Sequence, residues 1–160
     1  MDDKVILTNM VNAVVSVNIP DIKLKREWPR KGAKVAIDKT TFEEAIYDAG
    51  FEYMIKNGIL YTEDMALKKQ LGLEPETAVK PENIIVLDDK QIHRLLTVAP
   101  VSELRDTLKK LSLNQRQNVI DYAIDKEIAD ISRSDIIKEI CDVNILRAIE
   151  LKRANEEKVD

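Results

Sequence analysis

The chain has 160 residues, 44% of them hydrophobic and 34% charged, with a net charge of −4. That length admits one domain or two small ones, and the acidic balance argues against a general nucleic-acid coat, which is usually basic overall. A single cysteine, Cys141, excludes an internal disulfide, and no apolar run approaches the roughly 20 residues that span a bilayer, so the expected setting is a cytoplasm and no membrane partner.

The first residues, M-D-D-K-V-I-L-T-N, open with acids and do not read as a secretory leader. Val11, Ala13, Val15 and Val17 fall on one strand face, which predicts a strand over 11–18 closed by Ile19-Pro20. The next stretch, 19–37, organises the rest. It holds the only tryptophan, Trp28, and the densest basic run, Lys23, Lys25, Arg26, Arg30, Lys31 and Lys34, offset only by Asp21 and Glu27. Ile22, Leu24, Arg26 and Trp28 alternate onto one strand face. Pro29 stops the ladder because it has no N–H, and Gly32 lets the chain turn before Val35 and Ile37 restart the alternation. The expectation is two strands joined by a short basic loop.

Beyond Ile37, Thr40 or Thr41 with Glu43 or Glu44 forms a capping signal for a helix that Gly50 ends, followed by a short helical turn over 51–55 that stops at Asn57-Gly58. Residues 59–61 read as a short strand, and Asp64 caps a helix over 65–71 ended by Gly72. The segment 74–82, E-P-E-T-A-V-K-P-E, has two prolines and no apolar period, which marks a linker. After an extended run at 83–87 the pattern is helical: Asp88 with Gln91 as a capping pair, a new start at Pro100, Ser112 with Gln115, then Ser132 or Ser134, and Asp142 as the last cap. The tail from Ala154 is expected to fray. The fold class is therefore α+β: a small mixed strand/helix domain over 1–73, a linker over 74–82, and a compact all-helical domain over 83–160.

Little in the chain points to catalysis. His93 is the only histidine and Cys141 the only cysteine, too few for the usual zinc ligand set and far apart in sequence as a nucleophile–base pair. Asp121 and Asp125 share a helix face at i, i+4, a spacing that could bridge a divalent metal, but the flanking Lys126 and Glu127 favour a solvated face. There is no calcium loop, nucleophile elbow or phosphate-cradling glycine motif. The expectation is no enzyme, no cofactor and no metal. Lys25, Arg26, Trp28, Arg30, Lys31 and Lys34 remain as candidates for partner binding. Trp and Arg anchor protein interfaces; interleaved cations and an aromatic also grip phosphates and stack a base; and the plainest reading makes Trp28 a core aromatic beside lysines that keep an edge strand from pairing with other chains.

The segments V-S-V-N-I-P-D-I-K-L-K-R-E-W-P-R-K-G from Val15, F-E-E-A-I-Y-D-A-G-F-E-Y-M from Phe42, G-I-L-Y-T-E-D-M from Gly58, L-G-L-E-P-E from Leu71 and L-T-V-A-P from Leu96 resemble a family of short proteins encoded by tailed bacteriophages of gut bacteria. The resemblance runs to about Arg153 and departs at Ala49, where a proline is expected. It implies a structural or assembly component of the virion, made in the host cytoplasm and binding other phage structural proteins in multiple copies. It carries no functional residue across. Separately, S-E-L-R-D-T-L-K-K-L and D-I-I-K-E-I have the periodicity and caps of small helical nucleic-acid-binding modules of the SAP or helix-extension-helix kind, which makes nucleic acid the second partner class.

Overall fold

The computed structural model describes residues 3–128 and 130–158. It is an α+β chain of two compact units, one running to Val86 and one starting at Leu87. In the first unit, strands β1 (Lys4–Asn9), β2 (Val15–Ile19), β3 (Leu24–Trp28) and β4 (Lys34–Asp38) lead into helices α1 (Lys39–Ala45) and α2 (Ala49–Lys56), the short strand β5 (Leu60–Tyr61) and helix α3 (Met65–Gln70). The second unit holds α4 (Asp89–Thr97), α5 (Val101–Lys110), α6 (Leu113–Asp125), α7 (Ile131–Cys141) and α8 (Ile145–Lys158).

The strands make two antiparallel sheets, β4-β1-β5 and β2-β3. β1 forms because Val5, Leu7 and Asn9 alternate inward, and its Val5 lies opposite Ile37 of β4. Both strands expected around the basic loop are present, as β3 and β4. The strands flanking the basic loop do not pair with each other. β3 pairs back onto β2, with Val15 opposite Trp28 and Val17 opposite Arg26, whereas β4 crosses to β1. The expected strand over 11–18 is shorter, starting at Val15, and β1 lies upstream of it. One core serves both sheets: Val5, Leu7, Val17, Leu24, Trp28 and Ile37 pack with Phe42, Phe51, Ile55 and Leu67. Phe42 and Phe51 meet edge to face at 5.4 Å.

Helix starts mostly follow their local caps. Asp64 accepts from Leu67 N–H at 3.0 Å, Asp88 and Gln91 form the reciprocal capping box, and Ser112 accepts from Gln115 N–H. Gly50 differs from expectation: it lies inside α2, because the Asp48 carboxylate accepts from Phe51 N–H and starts a new helix there. Ala49 is the first residue of that helix, the position where a proline would be pre-set for helical φ. Gly58 and Gly72 do adopt positive φ, at 68° and 74°. The cap of α7 is Asp130, not Ser132 or Ser134. Asp142 ends α7 in a left-handed conformation, and Asn144 caps α8 by accepting from Arg147 N–H. The tail expected to fray is helical to Lys158.

The expected linker also changes. Residues 74–82 belong to the first unit, and the boundary falls at 86/87. The reason is Glu74. Its carboxylate is buried and accepts from the backbone N–H of Glu82 at 2.7 Å, Asn83 at 3.0 Å and Ile84 at 2.7 Å. Asn83 Nδ2 donates back to Leu73 O, and Ala78 and Ile84 are buried. Composition marks this segment as a spacer, but one ionised side chain fastens it down.

In the second unit α5 packs on α7 and α6 on α8, with α4 against α5 and α6. The inward residues are those of the apolar stripes: Ile92, Leu95 and Leu96; Leu104 and Leu108; Val119, Ile120 and Ala123; Ile136 and Ile137; Ile145 and Ile149. The Arg133 guanidinium joins the start of α7 to the end of α4, donating to Leu95 O at 3.2 Å and Ala99 O at 2.6 Å. Among the described residues no helix is long and apolar enough to cross a membrane.

Candidate functional site

The basic stretch is held on a frame set by two buried side chains. Trp28 is 1% exposed, and its indole N–H donates to Leu7 O at 2.9 Å. It is the core aromatic of the first unit, so its candidacy as an exposed partner anchor or base-stacking platform does not hold. Strand alternation had placed it with Leu24, and that shared face is the inner one. Asn9, fully buried at the end of β1, has no counterpart among the sequence candidates. Its Nδ2 donates to Ala13 O at 2.8 Å and Trp28 O at 3.4 Å, while its Oδ1 accepts from Val11 N–H. Its backbone then fixes the basic loop: Asn9 N–H donates to Ala33 O at 2.9 Å, and Gly32 N–H donates to Asn9 O at 2.7 Å. Gly32 has φ +87°, a conformation other L-residues rarely adopt. The sequence signal for Asn9 is faint: a polar residue continuing the inward parity of Val5 and Leu7.

On this frame the remaining candidates face outward. Lys25 and Arg26 are exposed on β3, and the Arg26 guanidinium donates to the neighbouring Lys25 O. Arg26 has the parity of Leu24 and Trp28, yet it is exposed. Arg30 is exposed and Lys31 half-buried in the crossing loop; Lys34 is exposed at the start of β4. Lys23 closes the β2–β3 turn in a left-handed conformation at φ 54°, its N–H donating to Pro20 O. Among the described residues, none of Lys23, Lys25, Arg26, Arg30, Lys31 and Lys34 makes an ion pair, although Lys4 and Asp38 pair in the adjacent sheet. The structure therefore gathers six cations along one hairpin and loop, against only Asp21 and Glu27, with no salt bridge to any of them among the described residues. Such a surface attracts anionic groups and repels cationic ones.

A second constellation sits beneath the 74–84 segment. Lys68 is 1% exposed, and among the described residues its Nζ has no hydrogen-bond partner; it lies over the Tyr61 ring at 4.6 Å from the centroid. Burial pushes the Lys68 amine below its ordinary pKa, and the nearby charges of Glu74, Asp64 and Glu63 only partly oppose this. Burial pushes Glu74 up, but the three backbone N–H donors and Lys68 outweigh it and hold the carboxyl below its ordinary range. Tyr61 is raised, chiefly by burial. This amine is closed off from solvent.

The other sequence candidates stay apart. His93 Nδ1 is 3.0 Å from the Tyr122 hydroxyl on an exposed helix face. Cys141 is half-buried, and burial raises its thiol pKa against the opposing pull of Arg116, which disfavours the nucleophilic thiolate. Asp121 accepts from Gln117 Nε2, and Asp125 is exposed beside Lys126. Among the described residues no group of three or more His, Cys, Asp or Glu side chains is placed to hold a metal ion. No family model, curated protein or solved structure matches this chain.

Proposed function

We propose that this protein is a non-catalytic structural or assembly component of a tailed-phage particle. It acts through protein–protein contacts, and the hairpin and loop bearing Lys25, Arg26, Arg30, Lys31 and Lys34 dock on an acidic protein surface. The observation that carries this reading is the row of cations without ion pairs on a backbone locked by Asn9 and Trp28. A surface that neutralises itself needs no partner, and this one does not. The resemblance of the sequence segments to short phage proteins supplies the setting, a virion assembled in the host cytoplasm from many copies. Nucleic acid is the competing occupant of the same cations. It is disfavoured because Trp28 is turned inward and offers no face for a base.

The test is charge reversal, R30E/K31E. Exposed charges contribute only about 0–1 kcal/mol each to stability, so the melting temperature should hardly move while incorporation into particles falls. A stably folded variant that incorporates normally refutes the docking role. A duplex- or single-strand titration of the wild type across salt separates the alternative. A phosphate binder loses affinity steeply and linearly in log salt, and such binding, abolished in R30E/K31E, would move the assignment to nucleic acid.

A further inference from the structure

The first unit is divided in charge. Six bases and two acids lie within 19–37, whereas residues 41–86 hold nine acids and four bases. The acidic part begins on α1 and α2. There Glu44 and Asp48 are exposed, and between and beyond them stand two of the chain's four tyrosines, Tyr47 at 88% exposed and Tyr53 at 57%. The face is fixed, because the other side of α2 buries Phe51 and Ile55 and Asp48 locks the helix start. Among the described residues Glu44 is in no ion pair, and within one copy none of the basic hairpin residues reaches this face as a salt bridge. Tyrosine and arginine are the residues that most often carry binding energy at protein interfaces, and charge complementarity sets which surfaces meet.

We infer that the partner of the basic hairpin is a second copy of this chain, docked through its Glu44–Tyr47–Tyr53 helix face. This rests on the reading of the hairpin as a protein-docking surface. The two faces are different patches, so the contact is head-to-tail: each copy gives its hairpin to one neighbour and its tyrosine face to another. Such a contact propagates into a closed ring or an open row and does not stop at a symmetric pair. That is the geometry a repeated structural component needs.

The experiment uses two full-length variants, each with one blocked face: R30E/K31E, and E44Q/Y47A, which leaves the Asp48 cap intact and offers no new cation to the reversed hairpin. Circular dichroism verifies that both keep the wild-type fold. Sedimentation velocity is run over a concentration series at ~0.02 M and ~1 M salt, where screening shrinks to about 3 Å. The wild type should show a weight-average mass that rises about twofold or more with concentration at low salt and returns to the monomer at high salt. Each variant alone should remain a monomer. An equimolar mixture should give a dimer and nothing larger, because one intact hairpin meets one intact tyrosine face and neither copy can propagate. A wild type that is monomeric throughout, variants that assemble like it, or a mixture that stays monomeric overturns the inference. If the wild type is monomeric while R30E/K31E still fails to enter particles, the hairpin docks on a different protein, so the functional proposal survives and this inference falls.

Discussion

Replacing Glu74 by glutamine tests how the 74–84 segment of the first unit is held. The change keeps size and burial but removes the charge and one acceptor oxygen. In the native protein Oε1 receives Ile84 N–H at 2.7 Å and Oε2 receives Glu82 N–H at 2.7 Å, with Asn83 N–H shared between them. Whichever way the glutamine amide turns, its NH2 faces a backbone N–H that has lost its acceptor. Hydrogen bonds to charged groups contribute about 1.5–3 kcal/mol, and a stranded buried donor costs about 1–3 kcal/mol, so E74Q should destabilise the first unit by about 2–4 kcal/mol. Trp28 is the only tryptophan and lies in that unit, so its fluorescence in a urea titration reads the unit directly. With a slope of about 2 kcal/mol per molar urea, the middle of the usual range, the midpoint should drop by about 1–2 M. The sign with pH follows from the lowered Glu74 pKa. Its contribution is complete above the unfolded carboxyl value of about 4.3 and is lost as pH falls through the lower folded value. The wild type should therefore show an acid-dependent loss below about pH 4.3 that is flatter in E74Q, which already lacks it. An E74Q midpoint equal to that of the wild type at pH 7 would refute the fastening.

Three further perturbations separate the remaining contributions. K68M removes an amine that makes no hydrogen bond, so its midpoint should lie within about 1 kcal/mol of wild type or above it; a loss above about 2 kcal/mol would mean that attraction to Glu74 outweighs the cost of burial. Because the folded Lys68 pKa is depressed, wild-type stability should also gain as pH rises from that value towards about 10.4, and K68M should lack that gain. W28F keeps an aromatic in the core but strips the donor from Leu7 O, which should cost about 1–3 kcal/mol; with the tryptophan gone, far-UV ellipticity is the readout, and an unchanged melt would show that the bond is dispensable. R133A releases Leu95 O, Ala99 O and Asp130 together and should cost the helical unit about 2–3 kcal/mol, seen as an earlier loss of helical ellipticity; an unmoved transition would show that α7 is held by its apolar stripe alone.

What the sequence made legible was mostly local. Asp64, Asp88 with Gln91, and Ser112 act within one turn of themselves, and Gly58 and Gly72 need only their own φ, so spacing alone finds them. Gly50 was misjudged because two local signals compete, a glycine that ends helices and an aspartate two residues earlier that starts one, and the cap won. The strand partners were hidden for a different reason. β1 and β4 are joined across the whole β2–β3 hairpin, and the alternation of Val35 and Ile37 fits β3 as well as β1. The 74–82 segment was misread because its two prolines speak for extension, while the carboxylate that binds it acts ten residues away on Ile84. At the candidate site the cations were visible as residue types, and even Trp28's face was set by alternation. Which face turned inward depended on Leu7 and Asn9, residues that pattern reading did not connect to it.

The position of β1 in its sheet bears on how the chain comes to be folded. β2 and β3 are neighbours in sequence and can close as soon as Trp28 is made. β1, made before both of them, must wait for Lys34–Asp38 to supply one edge and for Leu60 and Tyr61 to supply the other. Until then Val5, Leu7 and the backbone groups beside them are an open, apolar strand on a growing polypeptide. Pairings between distant segments form late and leave such strands exposed to other chains. A product that stops short of Lys34 would therefore carry a finished hairpin and an orphan strand, and aggregation rather than partial function is its expected fate.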